Sequence, residues 1–263
     1  MRLQREVRLS VGEVSKPPVV GNSFAGNPSG HGLKPVITLK VEVGGQVDPA
    51  TGMLVNIRQV DELVRRQWMT DLAVVADLAA PLLLKIMWPR IMSQLTSVRL
   101  LGLEVASNPW LRYRLTDGAL DMIELTERFE FSAAHRLHSD ALTDRANAET
   151  FGKCNNPHGH GHNYELEVTL RGPINTTGEL ISLQSLHHIV NRCVIERMDH
   201  KHLNIELEEF QQLNPTVENI AAVIFNLLTG EFPPPIKLQK VQLWETPKTS
   251  CTVEAPSEKE LAK

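Results

Sequence analysis

The stretch NPHGHGHNYELEVTL, Asn156 to Leu170, places a His-Gly-His triplet at the start of an alternating run. From Tyr164 onward the apolar residues Tyr164, Leu166, Val168 and Leu170 alternate with Glu165, Glu167 and Thr169, which predicts a half-buried strand of period two. Extended backwards, the same parity puts His160 and His162 on the apolar face. A second alternating run, FEFSAAH, sets Phe129, Phe131 and Ala133 in parity with His135. If the two strands pair, three imidazoles converge at one edge of a core face. Three histidines with an open fourth position are the arrangement of a catalytic zinc, because the free position takes water or substrate oxygens. A His-x-His pair alone also occurs on surface strands. The third histidine, and Cys154 six positions before His160, favour the metal reading.

Working outward, NPSGHGLKPVITLKV (Asn27 to Val41) matches that stretch at a constant offset of 129, while Asp77 matches Glu218 and Glu104 matches Glu245 at an offset of 141. Internal repetition resets the domain count, and we expect two tandem units, 1–120 and 121–263. The copies are unequal. His31 lies opposite His160, but Leu33 replaces His162, Glu13 falls near the position of His135, Ala25 at that of Cys154, and Thr70 and Asp71 opposite Asp199 and His200. One imidazole cannot hold a catalytic zinc, so the first unit is expected to lack the chemistry. Asp77 and Glu104 read there as relics, with surface carboxylates or a residual ring anchor as the other readings.

Each half reads strand, strand, helix, helix, strand, strand, an α+β pattern with an antiparallel sheet and helices on one face. In the second half strands are expected near 123–134, 160–171, 238–245 and 249–254. A helix over about 182–197 carries Leu183, Leu186, Ile189, Val190, Cys193 and Val194 at helical spacing, which leaves His187, His188 and Cys193 as non-ligands. Thr216 precedes an amphipathic run from Val217 to Leu228, with Pro215 suited to a helix start and Gly230 to a stop. First-half helices are expected near 56–69 and 71–93, the second kinked or broken in its first turns by Pro81. Asp117-Gly118, between LRYRL and a strand starting near Met122, signals a hairpin that would join the halves in one sheet.

Five segments in order, FSAAHRLHS, FGKCNNPHGHGHNY, MDHKHLN, NPTVEN and WET, resemble the motifs of the 6-pyruvoyltetrahydropterin synthase family over about residues 127–255. The related 6-carboxytetrahydropterin synthases share most of them. Five residues separate Cys154 from His160, as in the pyruvoyl branch, and His158 stands where those enzymes commonly have asparagine. The resemblance implies the tunnelling fold, in which antiparallel sheets close into a barrel with helices outside and single-copy members assemble as oligomers with active sites between subunits. It implies that His135, His160 and His162 bind Zn2+, that Cys154 is the catalytic base, that Asp199 and His200 complete its proton relay, and that Thr216, Glu218 and Glu245 hold the pterin ring. The implied activity is zinc-dependent conversion of 7,8-dihydroneopterin triphosphate to 6-pyruvoyltetrahydropterin with loss of triphosphate. The rival readings are a 6-carboxytetrahydropterin synthase of the deazapurine (queuosine) pathway and a non-catalytic pterin-binding or assembly protein. The chemistry asks for these residue types: a Lewis acid at the side-chain oxygens, and a thiol whose pKa is drawn toward neutrality by zinc or a protonated His200.

Composition bounds the rest. The chain has 263 residues, 42% of them hydrophobic, enough to fill two small cores. A net charge of -4 gives no reason to expect nucleic acid. The most apolar stretch, Leu72 to Trp88, is interrupted by Asp77, Pro81 and Lys85, so no membrane span is expected. Cys154, Cys193 and Cys251 form no disulfide framework, which fits a cytoplasmic protein. The resemblance, not the composition, implies a homo-oligomer acting on a small pterin triphosphate. Arg136, Arg145, Lys153, Lys201 and Lys248 lie near the motifs as candidate phosphate contacts, each by default a solvated charge.

Overall fold

The computed structural model describes residues 1–11, 35–75 and 78–256. Glu13, Ala25, His31, Leu33 and Asp77 lie outside the described residues, as do the side chains of Thr70 and Asp71. The chain divides into two units, Met1–Leu125 with Gly172–Leu180, and Thr126–Arg171 with Ile181–Lys263.

The first unit runs β1 (Arg2–Ser10), β2 (Val36–Gly44), α1 (Ile57–Val75), α2 (Ala80–Met92), β3 (Arg99–Asn108) and β4 (Leu111–Thr116). Its strands pair antiparallel in chain order. Alternation puts Leu39, Val41, Val43, Leu103, Val105 and Leu115 into the core, where they meet Val60, Leu63, Val64 and Trp68 of α1 and Leu84, Met87, Trp88 and Ile91 of α2. The helix boundary differs from the expectation: residues 71–75 continue α1, and α2 starts only at Ala80. Pro81 sits in the first helical turn, where its missing N–H costs no hydrogen bond, so it begins the helix instead of kinking it.

After β4 the chain runs β5 (Met122–His135), α3 (Asp144–Phe151), a 3₁₀ turn (Gly152–Asn155), β6 (His160–Pro173), α4 (Leu183–Val190), a π-helical turn (Asn191–Ile195), α5 (Glu196–Met198), β7 (Lys201–His202), α6 (Leu203–Glu206), α7 (Val217–Leu228), β8 (Lys237–Thr246) and β9 (Thr249–Glu254), the second unit beginning within β5 at Thr126. The sheet order is β5-β6-β8-β9, with β7 added parallel to β5. Tyr164, Leu166, Val168, Val241 and Leu243 are buried, as are Ile220, Ala221 and Ile224 of α7, which packs on β8 and β9. Thr216 caps α7 through its hydroxyl. No helix among the described residues is long and apolar enough to cross a membrane.

The sheets carry matching irregularities. In the first unit the β2–β3 register shifts between Glu42 and Val43, opposite Gly102 and Leu100, and the β3–β4 register shifts between Ala106 and Asn108. In the second, β6–β8 shifts between Thr169 and Leu170, opposite Lys240 and Leu238, and β8–β9 between Trp244 and Thr246. The residues left over, Leu101 and Gln239, each accept a backbone bond through their carbonyl, from Asp117 and Ala255 respectively. Counted from the bulges, Glu104 falls with Gln242 and Ser107 with Glu245, whereas the sequence match set Glu104 against Glu245. A bulge restores alternation one residue out of step, which a comparison of motifs does not register. Glu104 is also no surface carboxylate: it is 8% exposed, 2.7 Å from Lys40 Nζ and 3.9 Å from Arg114 Nη1.

Candidate functional site

Strand parity brings the three histidines together as expected. One nitrogen from each of His135, His160 and His162 lies within 4.8 Å of the others. His135, fully buried at the end of β5, donates Nδ1–H to the carbonyl of Pro215 at 2.7 Å, which leaves a lone pair on Nε2. That Nε2 stands 3.1 Å from Nε2 of His160. A tetrahedral zinc with bonds of about 2.0–2.1 Å would separate its ligand nitrogens by about 3.3 Å. Nε2 of His162 is buried and makes no hydrogen bond. Three ring nitrogens within 4.8 Å, one of them buried and without a hydrogen bond, suit a cation, and the carbonyl behind His135 is the usual support of a metal-bound imidazole.

The electrostatics agree. Burial lowers the pKa of His135 to about 4, against the hydrogen bond to Pro215, and His160, His162 and His202 push the same way as burial. Burial also lowers that of His160. Both rings are thereby held in the neutral, ligating form. The second register shift in β8 turns the Glu245 carboxylate to the cluster, with Oε1 3.5 Å from Nε2 of His135 and 3.8 Å from Nε2 of His162. Tyr164 lies under the site, its hydroxyl pushed above the usual range by burial first, then by Glu245 and Cys154.

Asp199 and His200 form the expected pair, His200 Nδ1 to Asp199 Oδ2 at 2.8 Å. Asp199 also accepts the backbone N–H of Ser132, and His200 N–H donates to Ser132 O, so the pair is fixed to β5 three residues before His135. The Ser132 N–H, then His200, hold the Asp199 carboxyl below its usual range. His200 adopts a positive φ of 58° and its side chain is 82% exposed. It lines an open groove of about 560 Å³ together with His162, Asn163, Lys201, His202 and Glu206. Cys154 does not line this groove. It sits half-buried in the 3₁₀ turn, and its carbonyl accepts the Leu137 N–H at 2.9 Å. Glu218 is exposed on the first turn of α7. His158 is exposed and outside the cluster, and His187 pairs with Glu127 at 2.7 Å.

Sequence reasoning missed several neighbours. His202 borders the groove with a buried Nδ1 that lacks a hydrogen bond. Gly159 has φ +73°, and a Cβ there would lie 2.6 Å from His202 Nε2 and 3.0 Å from His135 O, so only glycine fits the turn into His160. Arg136 is no solvated charge but is bonded to Asn155, whereas Lys201 and Arg145 do form surface pairs with Glu206 and Glu149. The density of asparagine in the motifs was the available signal.

Comparison with known proteins covers this unit. The family model for 6-pyruvoyl tetrahydropterin synthase matches residues 124–256. The 6-pyruvoyl tetrahydrobiopterin synthase of Drosophila melanogaster is 43% identical over 133 residues, 50% of this chain and 79% of that protein. The human protein of the same name is 40% identical over 47% of this chain and 85% of its own length. The 6-carboxy-5,6,7,8-tetrahydropterin synthase of Haemophilus influenzae is 28% identical over 49% of this chain and 97% of that protein.

Proposed function

Because the chain belongs to the 6-pyruvoyl tetrahydropterin synthase family, we propose that it is a zinc-dependent lyase converting 7,8-dihydroneopterin triphosphate to 6-pyruvoyltetrahydropterin with loss of triphosphate. The observation that carries this reading is the triad, whose ligand nitrogens lie within 4.8 Å with the His135 tautomer fixed from behind. His135, His160 and His162 would hold the zinc, which supplies Lewis acidity toward the side-chain oxygens of the substrate. Cys154 accepts the carbon-bound protons. Asp199 orients His200 through Nδ1, leaving Nε2 in the open groove to exchange a proton with the thiol. Because His200 is exposed and Cys154 stands outside its groove, the relay is completed by a thiol from a second copy in a homo-oligomer. Thr216, Glu218 and Glu245 hold the pterin ring, Glu245 through a carboxylate that can pair two N–H groups at once.

The first unit is a diverged copy of this unit that retains the fold without the metal chemistry. Two register shifts at equivalent places, and carbonyls of the two bulged residues used alike, support common descent.

The likeness to the Haemophilus protein favours one second reading, formation of the 6-carboxy product with release of acetaldehyde. Incubating the zinc-loaded protein with dihydroneopterin triphosphate and identifying products by mass separates the two. No turnover would leave a binding protein and overturn both. Cys154→Ala is expected to keep its zinc and lose turnover by about 10²- to 10⁴-fold; loss of the metal instead would make the thiol a ligand.

A further inference from the structure

After His135, the last residue of β5, the backbone groups of Arg136, Leu137 and His138 bond to other loops of the site. Arg136 N–H donates to Asn204 Oδ1 at 2.8 Å and Arg136 O accepts from Asn204 Nδ2 at 3.0 Å. Leu137 N–H donates to Cys154 O at 2.9 Å, and His138 N–H to Asn214 Oδ1 at 3.2 Å. The segment after the first metal ligand is therefore bonded to the turn that carries the thiol, to the chain that follows the Asp199–His200 pair, and to the chain that leads into Pro215.

The Arg136 side chain adds a second hold on the thiol turn. Its Nε donates to the backbone carbonyl of Asn155 at 3.3 Å and its Nη2 to Asn155 Oδ1 at 3.1 Å. His138 Nδ1 lies 3.1 Å from that Nη2 and 3.0 Å from Asn155 Oδ1, so the ring packs against the contact in either tautomer. A planar guanidinium that meets two acceptors of one residue fixes direction as well as distance, which a lysine cannot do. Asn155 is the last residue of the 3₁₀ turn and Cys154 the one before it. This turn is thus tied to the chain after His135 by one backbone bond, by the Arg136 fork and by the contact of His138 with Asn155.

We propose that Arg136 is a positioning residue that sets the Cys154 thiol at a fixed offset from the metal ligand His135. Its catalytic consequence rests on the reading of Cys154 as the base; its structural consequence does not. In Arg136→Met, amide hydrogen exchange in peptides spanning 152–157 is expected to rise roughly tenfold while α7 and the centre of β6 keep their protection. Zinc stays at one equivalent, kcat falls roughly 10- to 100-fold and KM changes little, because a misplaced base costs rate more than binding. Arg136→Lys keeps the charge but not the fork, and is expected to follow Met. Asn155→Ala, which removes one of the two acceptors, should give a smaller rise in the same peptides and serves if Arg136→Met does not fold. Unchanged exchange at 152–157, an equal rise throughout the chain, or a wild-type-like lysine variant would each overturn the proposal. Full turnover by Cys154→Ala would refute the base assignment alone and leave the exchange result to stand.

Discussion

At the second register shift of the third sheet strand in each unit, one residue is left out of the ladder: Ser107 in the first unit and Glu245 in the second. The backbone device is the same and the side chain is not. In the second unit the extra residue carries a carboxylate to within 3.8 Å of two imidazoles; in the first it carries a hydroxymethyl group. The fold depends on alternation and on bulge placement, which many sequences satisfy. The metal site depends on three particular side chains that end within 4.8 Å of each other, and single substitutions remove it. On the proposed reading of the first unit as a diverged copy, a unit released from catalysis loses its site and keeps its sheet.

The sharpest way to break this contrast is metal analysis. One zinc per chain is expected, and His160→Ala with His162→Ala should remove it together with all turnover. Two equivalents in the wild type, or one that survives the double substitution, would mean the first unit binds metal after all.

Stability offers an intermediate test, because both units bury charge on the sheet face away from the helices. Glu167, 3% exposed, takes the Arg128 guanidinium at 2.8 Å, and Arg128 also reaches Glu165 at 2.6 Å and lies 5.0 Å over the Trp244 ring. Glu104, with a side chain 10% exposed, takes Lys40 at 2.7 Å. Removing one partner of a buried carboxylate weakens its compensation, so Arg128→Ala should cost about 1–3 kcal/mol and Lys40→Ala about 1–2 kcal/mol in urea unfolding. Adding Glu167→Gln or Glu104→Gln should recover part of each loss. Equal silence in both units would show that these pairs are solvated.

The smallest effect concerns pH. The Asp199 carboxyl has a folded pKa below its unfolded value of 3.8, chiefly through the Ser132 N–H. Its contribution is therefore present above that value and is lost as pH falls through the folded pKa. Asp199→Asn should flatten the acid limb of the stability profile below about pH 4 and leave the profile near neutrality unchanged in shape; a difference confined to higher pH would assign the effect to another group.

Much of the second unit was legible in its sequence. Four strands and α7 fell within a residue or two of their expected ends, since period-two alternation and the Pro215-Thr216 start are local signals. The triad followed from parity together with the assumption that the two strands pair. Other features needed structure. The expected helix over 182–197 contains a π turn at Asn191–Ile195, and α3 has almost no apolar periodicity, because its buried residue is Asn147, which donates to the carbonyls of Ser139, Leu142 and Thr143. The match of Glu104 to Glu245 differs from the count between bulges because one-residue bulges are invisible to alternation. Arg136 passed for a surface charge because the acceptors of its fork belong to Asn155, a loop residue 19 positions away in sequence.

The acceptor that fixes the His135 tautomer is a carbonyl of the main chain, at Pro215. Every amino acid supplies that oxygen, so no exchange of side chain at 215 can delete it. A saturation scan would find the position sensitive only to how the chain enters α7. The ligand's protonation pattern is thus insured against point substitution, and its exposure is to insertions and deletions between Asn214 and Thr216, which would move the oxygen itself.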